Sequence, residues 1–456
     1  MMDRRGFLAA GGALLASGCA TPAAGAAAPP VVFVHGNGDS ASIWQTTIWR
    51  FESNGWPRER LHAIDLPYPL ARDDDTKAQA GRTSTTEHME YLRAEVDKVL
   101  QATGATRVVL VGNSRGGNAI RNYIANGDGA AKVSHAVLGG VPNHGIWVSL
   151  PGLPDGSEFS ASSAFLKALN VPKDAAGDEV TGPVQWLTLR SDRNDKYAQP
   201  DGRWVGKAGQ ATGVGYDGPA LKGATNIVLP RVDHRETAFS PAAFDAMFRF
   251  LTGHAPATLE IVPENEVVLA GKVTGLGVSS TDPASGNFSN NLPLPGAQLQ
   301  VYALDPASGV RKGEPFTQGI GPDGHWGPLR ATPGTPYEFV VSAPGYALTH
   351  IYRSAFPRSS DLVNLHPERI AAADREAPSL VIFTRPRGYF DPGRDRMVFD
   401  GQSPPPGALP GAGVASSRIK PAGGPRTVMG EFNGERIAGR SWPLANNEVS
   451  VLELTY

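Results

Sequence analysis

The chain has 456 residues, too many for one ordinary domain and suited to about two or three. Hydrophobic residues make up 41%, enough for sizeable cores, and 42 basic against 44 acidic residues leave a formal charge of -2. No basic field exists to draw in nucleic acid, and the acidic run Asp73-Asp74-Asp75 reads as a solvated loop.

The N-terminus reads as an address. Asp3-Arg4-Arg5-Gly6-Phe7-Leu8 joins a twin arginine to Phe-Leu ahead of the small, apolar stretch 9–15, and it resembles a twin-arginine export signal. The single cysteine follows in Leu15-Ala16-Ser17-Gly18-Cys19, close to a bacterial lipoprotein box, so export with a membrane-attaching lipid on Cys19 is expected over residues 1–27. The alternative is cleavage near residues 24–28, which discards Cys19 with the signal. One cysteine can form no internal disulfide, which suits export after folding in a reducing cytosol. No apolar stretch reaches the roughly 18 residues of a membrane span.

Pro30-Val31-Val32-Phe33-Val34 is a β-branched strand ending in His35-Gly36-Asn37-Gly38-Asp39. Further on, the buried-strand pattern Arg107-Val108-Val109-Leu110-Val111 runs into Gly112-Asn113-Ser114-Arg115-Gly116, and residues 117–125 continue as a helix with Ile120, Tyr123 and Ile124 on one face. A serine held on a sharp strand-to-helix turn needs neighbours without β-carbons two positions either side, or they collide with strand and helix. The pentapeptide alone also occurs in ordinary glycine-rich turns; its flanking strand and helix make Ser114 the candidate nucleophile. Such a serine needs two backbone N–H groups to hold the negative oxygen of a tetrahedral intermediate. Asn37 and Arg115 are the assigned donors, the second because the residue after the nucleophile points its N–H into the site. His35 then reads as a loop buttress.

Residues 146–181 form a long connection carrying Trp147, Leu150, Leu153, Phe159, Phe165, Leu166 and Leu169, an insertion able to cap an acyl pocket. The strand pattern of residues 184–189 leads into Ser191-Asp192-Arg193-Asn194-Asp195-Lys196-Tyr197, which offers two candidate acids. Asp195 is preferred to Asp192, with the role of accepting a histidine N–H and fixing its tautomer. Triad order in this architecture runs serine, acid, histidine. His234 therefore fits best as base, after the strand pattern of residues 226–230 and before a helix that Ser240 caps and Pro241 opens. His144 precedes any acid loop and reads as a pocket-wall residue. Asp233 adjoins His234, but neighbouring side chains at a strand end point to opposite sides.

With these residues in order, residues 28–253 resemble an α/β-hydrolase, and specifically bacterial lipases and esterases. The fold class expected is α/β, an α/β-hydrolase catalytic domain followed by all-β sandwich-like modules. The sequence departs from many lipases at Arg115, where they carry a small or apolar residue. Dehalogenases that share this fold use an aspartate nucleophile, against which Ser114 argues.

Past Gly253, proline and glycine become dense, strand patterns are short, and no long helical pattern follows. Residues 256–368 read as a β-sandwich, with strands at 267–273, 297–303 and 337–341 and turns at Leu294-Pro295-Gly296 and Gly321-Pro322-Asp323-Gly324. Residues 375–456 read as a second β module, with strands at 379–383 and 449–454. The expected activity is that of a secreted serine ester hydrolase on ester or lipid substrates, with no cofactor and no metal-ligand spacing. The other class is a surface binding protein with an inactive hydrolase domain, whose β modules hold a glycan, polymer or partner. The β-rich half holds no candidate triad residue, so it is expected to tune substrate access or attachment, leaving residues up to Gly253 to hydrolyse small esters alone.

Overall fold

The computed structural model describes residues 28–146, 155–192, 194–199, 201–205, 209, 212, 214, 218–278 and 287–456. Cys19 and the export signal of residues 1–27 lie outside them, as do Trp147, Leu150 and Leu153 of the expected cap.

Six strands make a wholly parallel sheet: β1 (Val31–Val34), β2 (Leu61–Ile64), β3 (Val108–Asn113), β4 (Val133–Gly139), β5 (Gln185–Ser191) and β6 (Thr225–Leu229), in the order β2-β1-β3-β4-β5-β6. Parallel neighbours require crossovers. They carry α1 (Gln45–Ser53), α2 (Thr85–Thr103), α3 (Arg115–Asn126) and the short α4 (Ala164–Leu169), while α5 (Glu236–Phe239) and α6 (Pro241–Thr252) follow β6. Helices on both faces explain why β1 and β3 are continuous apolar runs. Val31 and Phe33 pack with Ile48 and Phe51 of α1 and Phe244 of α6, and Val32 and Val34 pack with Leu92 of α2 and Ile120 of α3. A Ser84–Glu87 capping box starts α2, and Ser240 caps α6 by accepting from the Ala243 N–H, with Pro241 in its first turn. The expected apolar face of α3 is buried. So is the rest of the helix from Arg115 to Ile124, because α2 and α4 both pack on it.

Beyond α6 the described chain is built of strands. They are β7 (Val267–Lys272), β8 (Thr274–Val278), β9 (Asn287–Pro293), β10 (Gln298–Leu304), β11 (Arg311–Gly319), β12 (His325–Ala331), β13 (Tyr337–Ser342) and β14 (Leu348–Arg353). After them come β15 (Val381–Thr384), β16 (Met397–Phe399), β17 (Ser416–Ile419), β18 (Thr427–Phe432), β19 (Glu435–Arg440) and β20 (Glu448–Glu453). Residues 256–368 and 375–456, expected as two modules, share one seven-stranded sheet of order β11-β10-β13-β14-β20-β15-β17. The reason is strand pairing: β20 runs parallel between β14 and β15 and satisfies an edge of each.

Period-two alternation divides this sheet between two cores. Val449 and Val451 of β20 and Ile382 of β15 face β7 and β12, against Val267, Leu269 and Trp326. Leu452 and Phe383 face the sheet β16-β18-β19, against Phe399, Val428, Phe432 and Ile437. A β-carbon on Gly430 or Gly439 would lie 2.7 Å from Phe383 or Leu452, so these glycines let the two sheets meet at backbone distance.

The two halves share interior. Trp49 of α1 is 1% exposed, belongs to the core under β7 and β12, and donates from Nε1 to the Ser359 carbonyl over 2.8 Å. Gln45 Nε2 donates to Ser360 Oγ, Arg387 Nη2 donates to the Ser42 carbonyl and Gln45 Oε1, and Asn291 Nδ2 donates to the Asp39 and Leu66 carbonyls. A chain ended near Gly253 would leave this tryptophan and these polar groups uncovered. That differs from the expectation of a self-sufficient catalytic half.

Candidate active site

The site begins at the end of β3. Ser114 sits at φ 51 and ψ -122, a strained conformation costing about 1–3 kcal/mol that survives only where the surroundings hold it. The Ser114 N–H donates to the Gly139 carbonyl over 2.9 Å, and the Gly117 N–H donates to the Ser114 carbonyl over 3.0 Å. The glycines have the steric reason expected of them. A β-carbon on Gly112 would lie 2.7 Å from Ile120 Cδ1, and one on Gly116 would lie 2.4 Å from the Val34 carbonyl oxygen.

The Asn37 side-chain oxygen is engaged elsewhere, Oδ1 accepting from the Ala71 N–H over 2.7 Å, and Asn37 lines the cleft. The Arg115 N–H belongs to the first turn of α3, whose donors lack intrahelical acceptors and carry the positive end of the helix dipole. The Arg115 side chain turns away and is buried. Its Nε and Nη2 donate to the two Glu158 oxygens at 2.9 Å each, and Nη1 and Nη2 donate to the carbonyls of Pro69 and Thr83. Burial pushes the Glu158 carboxyl upward against the pull of Arg115. This arginine does not shape the pocket; it fastens the 155–163 part of the insertion to the body of the domain.

His35 donates from Nδ1 to the Gly36 carbonyl and accepts at Nε2 from the Leu66 N–H, which fixes it as a neutral tautomer under the loop. Burial lowers the pKa of His35 and, further, that of His88, which Arg115 and His35 lower as well. Below about pH 6.5 each binds a proton in the unfolded chain but not yet in the folded one. Stability is therefore complete above that pH and is lost as the pH falls, by up to about 1.4 kcal/mol per pH unit for each histidine. Urea midpoints at about pH 7.5 and 5.5 should show the drop, and equal midpoints would refute it.

His234 and Asp195 come together from loops after β6 and β5: the His234 Nδ1–H donates to Asp195 Oδ2 over 2.8 Å, and Asp195 Oδ1 accepts from the Tyr197 N–H over 2.8 Å. The Tyr197 ring lies edge-on to His234 at 4.5 Å. Asp192 faces away. Its Oδ2 accepts from the Arg231 N–H and its Oδ1 from the Asn194 N–H, joining two loops. Asp233 also points away from the imidazole, its Oδ1 accepting the N–H groups of Arg235 and Glu236. His144, read as a pocket wall, pairs with Glu179 at 3.0 Å and lines a neighbouring hollow with Arg190 and Leu221.

Sequence reading missed the supports of His234. Its carbonyl accepts from Thr237 Oγ1 over 2.7 Å and from Asn113 Nδ2 over 3.3 Å, so the residue before Ser114 also anchors the His234 loop. Gly140, at φ 61, leaves room for that carbonyl, to which a β-carbon would approach within 2.8 Å. Only the Gly139-Gly140 pair after the β4 pattern hints at this in the sequence.

Ser114, His234, Asp195 and Asn37 open on one cleft of about 520 Å³, with Pro142, Ile146, Phe159, Tyr197 and Val214 as further walls. It offers a hydroxyl, an imidazole tied to a carboxylate and a helix N-terminus beside an apolar wall.

A family model described as "Lipase (class 2)" matches residues 28–175, and one described as "Lipase C-terminal domain" matches residues 265–370. The chain is 27% identical over 145 residues to the non-heme chloroperoxidase of Burkholderia pyrrocinia and 28% identical over 144 residues to the non-heme haloperoxidase of Rhodococcus erythropolis. These alignments cover 31% of this chain and 47% and 46% of those proteins, so the chain spans about half the length of the curated relatives it matches. Among solved structures, the mature form of Bacillus licheniformis lipase BlEst2 superposes on 50% of this chain and 93% of its own, at 21% identity and a TM-score of 0.36. Aspergillus fumigatus lipase B covers 51% of this chain and 54% of its own, at 15% identity and a TM-score of 0.36. With a lipase model matching on each side of Gly253, around a parallel sheet whose third strand runs into the Ser114 turn, the chain has an α/β-hydrolase fold over its first half, similar to class 2 lipases over residues 28–175, followed by a β-rich region similar to lipase C-terminal domains over residues 265–370.

Proposed function

We propose that the protein hydrolyses carboxylic esters with Ser114 as nucleophile, His234 as base and Asp195 as the acid that orients it. Ser114 Oγ attacks the ester carbonyl while His234 Nε2 takes its proton; the N–H groups of Asn37 and Arg115 receive the oxyanion; His234 returns the proton to the departing alkoxide. Water then repeats the sequence on the acyl-enzyme and frees the acid. The observation that carries this reading is the meeting, in one cleft, of a strained serine elbow with an imidazole whose Nδ1–H is held by Asp195 at 2.8 Å. No cofactor is required.

The apolar wall of Ile146, Phe159 and Val214 supports an acyl-binding side to the cleft. We place the protein outside the cytosol, on the strength of Arg4-Arg5 and the lipoprotein-like box before Cys19. A fluorophosphonate probe is expected to label Ser114, mapped by peptide analysis, and to stop hydrolysis of p-nitrophenyl esters; rates across acyl lengths then separate esterase from lipase preference. A folded protein that neither reacts with the probe nor cleaves any ester would be the inactive binding protein instead.

A further inference from the structure

The loops of His234 and Asp195 do not rest on the hydrolase half alone. Asp233 is fully buried beside His234, and its Oδ2 accepts from Arg385 Nη1 over 3.0 Å and from the Tyr389 N–H over 2.6 Å. Arg385 Nη2 also donates to Glu236 Oε1, and Arg394 Nη1 donates to Glu236 Oε2 and to the Arg231 carbonyl. The loop that carries the base is thus fixed on both sides of His234 by two arginines of the C-terminal half. On the acid side, Asn194, next to Asp195, donates from Nδ2 to Asp391 Oδ2 over 2.8 Å. Tyr389 touches both loops. Its buried ring has Lys196 Nζ at 4.3 Å and Arg235 Cζ at 5.0 Å from its centroid, one cation from each loop. The fit is tight at Gly388, where a β-carbon would lie 2.1 Å from Arg385 Nη1 and 2.9 Å from Asp233 Oδ2.

We infer that residues 385–394 form a positioning strap, in which Arg385 and Tyr389 set the distance and angle between His234 and Asp195. This deepens the proposed ester hydrolysis and rests on it. The strap's side chains do not line the cleft. They therefore act through the two loops, on the chemical step and not on substrate capture.

The test uses the full chain, with Arg385→Gln, Tyr389→Leu and, as a control in the same half, Arg426→Gln, which breaks the Arg426–Asp400 pair away from both loops. For a soluble p-nitrophenyl ester, Arg385→Gln and Tyr389→Leu should each lower kcat by about 10–100-fold with KM within about twofold, since small misplacements of reacting groups cost that much. Fluorophosphonate labelling of Ser114 should slow in step. The far-downfield proton resonance of the His234 Nδ1–H, a direct report on its bond to Asp195, should weaken or shift. Arg426→Gln should change none of these. Tyr389→Leu, which removes no charge, answers the question even where Arg385→Gln fails to fold. Wild-type kcat and an unmoved resonance in folded Tyr389→Leu would overturn the strap, as would an equal loss in Arg426→Gln. Failure of the underlying reading looks different: wild-type Ser114 would go unlabelled, while the resonance would still report on the strap.

Discussion

Ser114→Ala is expected to lower kcat on a soluble ester by roughly a millionfold, to the residual level that binding and oxyanion donors supply without a nucleophile. The fold should survive, because the elbow is held by backbone bonds to Gly139 and Gly117 that the hydroxyl does not make. Residual turnover then measures what the N–H groups of Asn37 and Arg115 contribute by themselves. Active-site titration with a fluorophosphonate gives the independent check: the variant should take up none. Full activity in this variant would mean that another group attacks the ester.

The second large effect separates the two aspartates of one loop. Asp195→Asn should cut kcat by about 10⁴-fold, because an amide cannot stabilise the imidazolium and can pair with the wrong tautomer of His234. Asp192→Asn removes a carboxylate that accepts the backbone N–H groups of Arg231 and Asn194, a loop-joining role whose loss should cost about 1 kcal/mol of stability and little activity. Rates and urea midpoints for both variants decide the matter. A catalytic collapse in Asp192→Asn with mild effects in Asp195→Asn would transfer the role.

Much of this site is legible along the chain because its requirements are local. Apolar runs of period one mark β1 and β3 as strands covered on both faces, the glycines at 112 and 116 mark where Ser114 must turn, and Ser240-Pro241 marks where α6 begins. Chain order then places an acid and a histidine after β5 and β6. Arg115 shows the limit. Next to Ser114 in sequence, it stands where many lipases carry a small or apolar residue, yet its guanidinium ends 1% exposed against Glu158, a residue 43 positions away.

The sequence by itself determined which residues could do chemistry and which elements carry them, because backbone conformation, strand alternation and helix capping depend on neighbours a few positions apart. Tertiary structure alone decided which aspartate meets His234, that β20 inserts between β14 and β15 and merges two expected modules, and that Arg385 and Tyr389 reach the base and acid loops from more than 150 positions along the chain. Those outcomes depend on the burial of charge and on the pairing of strand edges. Both are settled only when distant segments are packed together, since an unpaired charge or an open edge in the interior is too costly to leave.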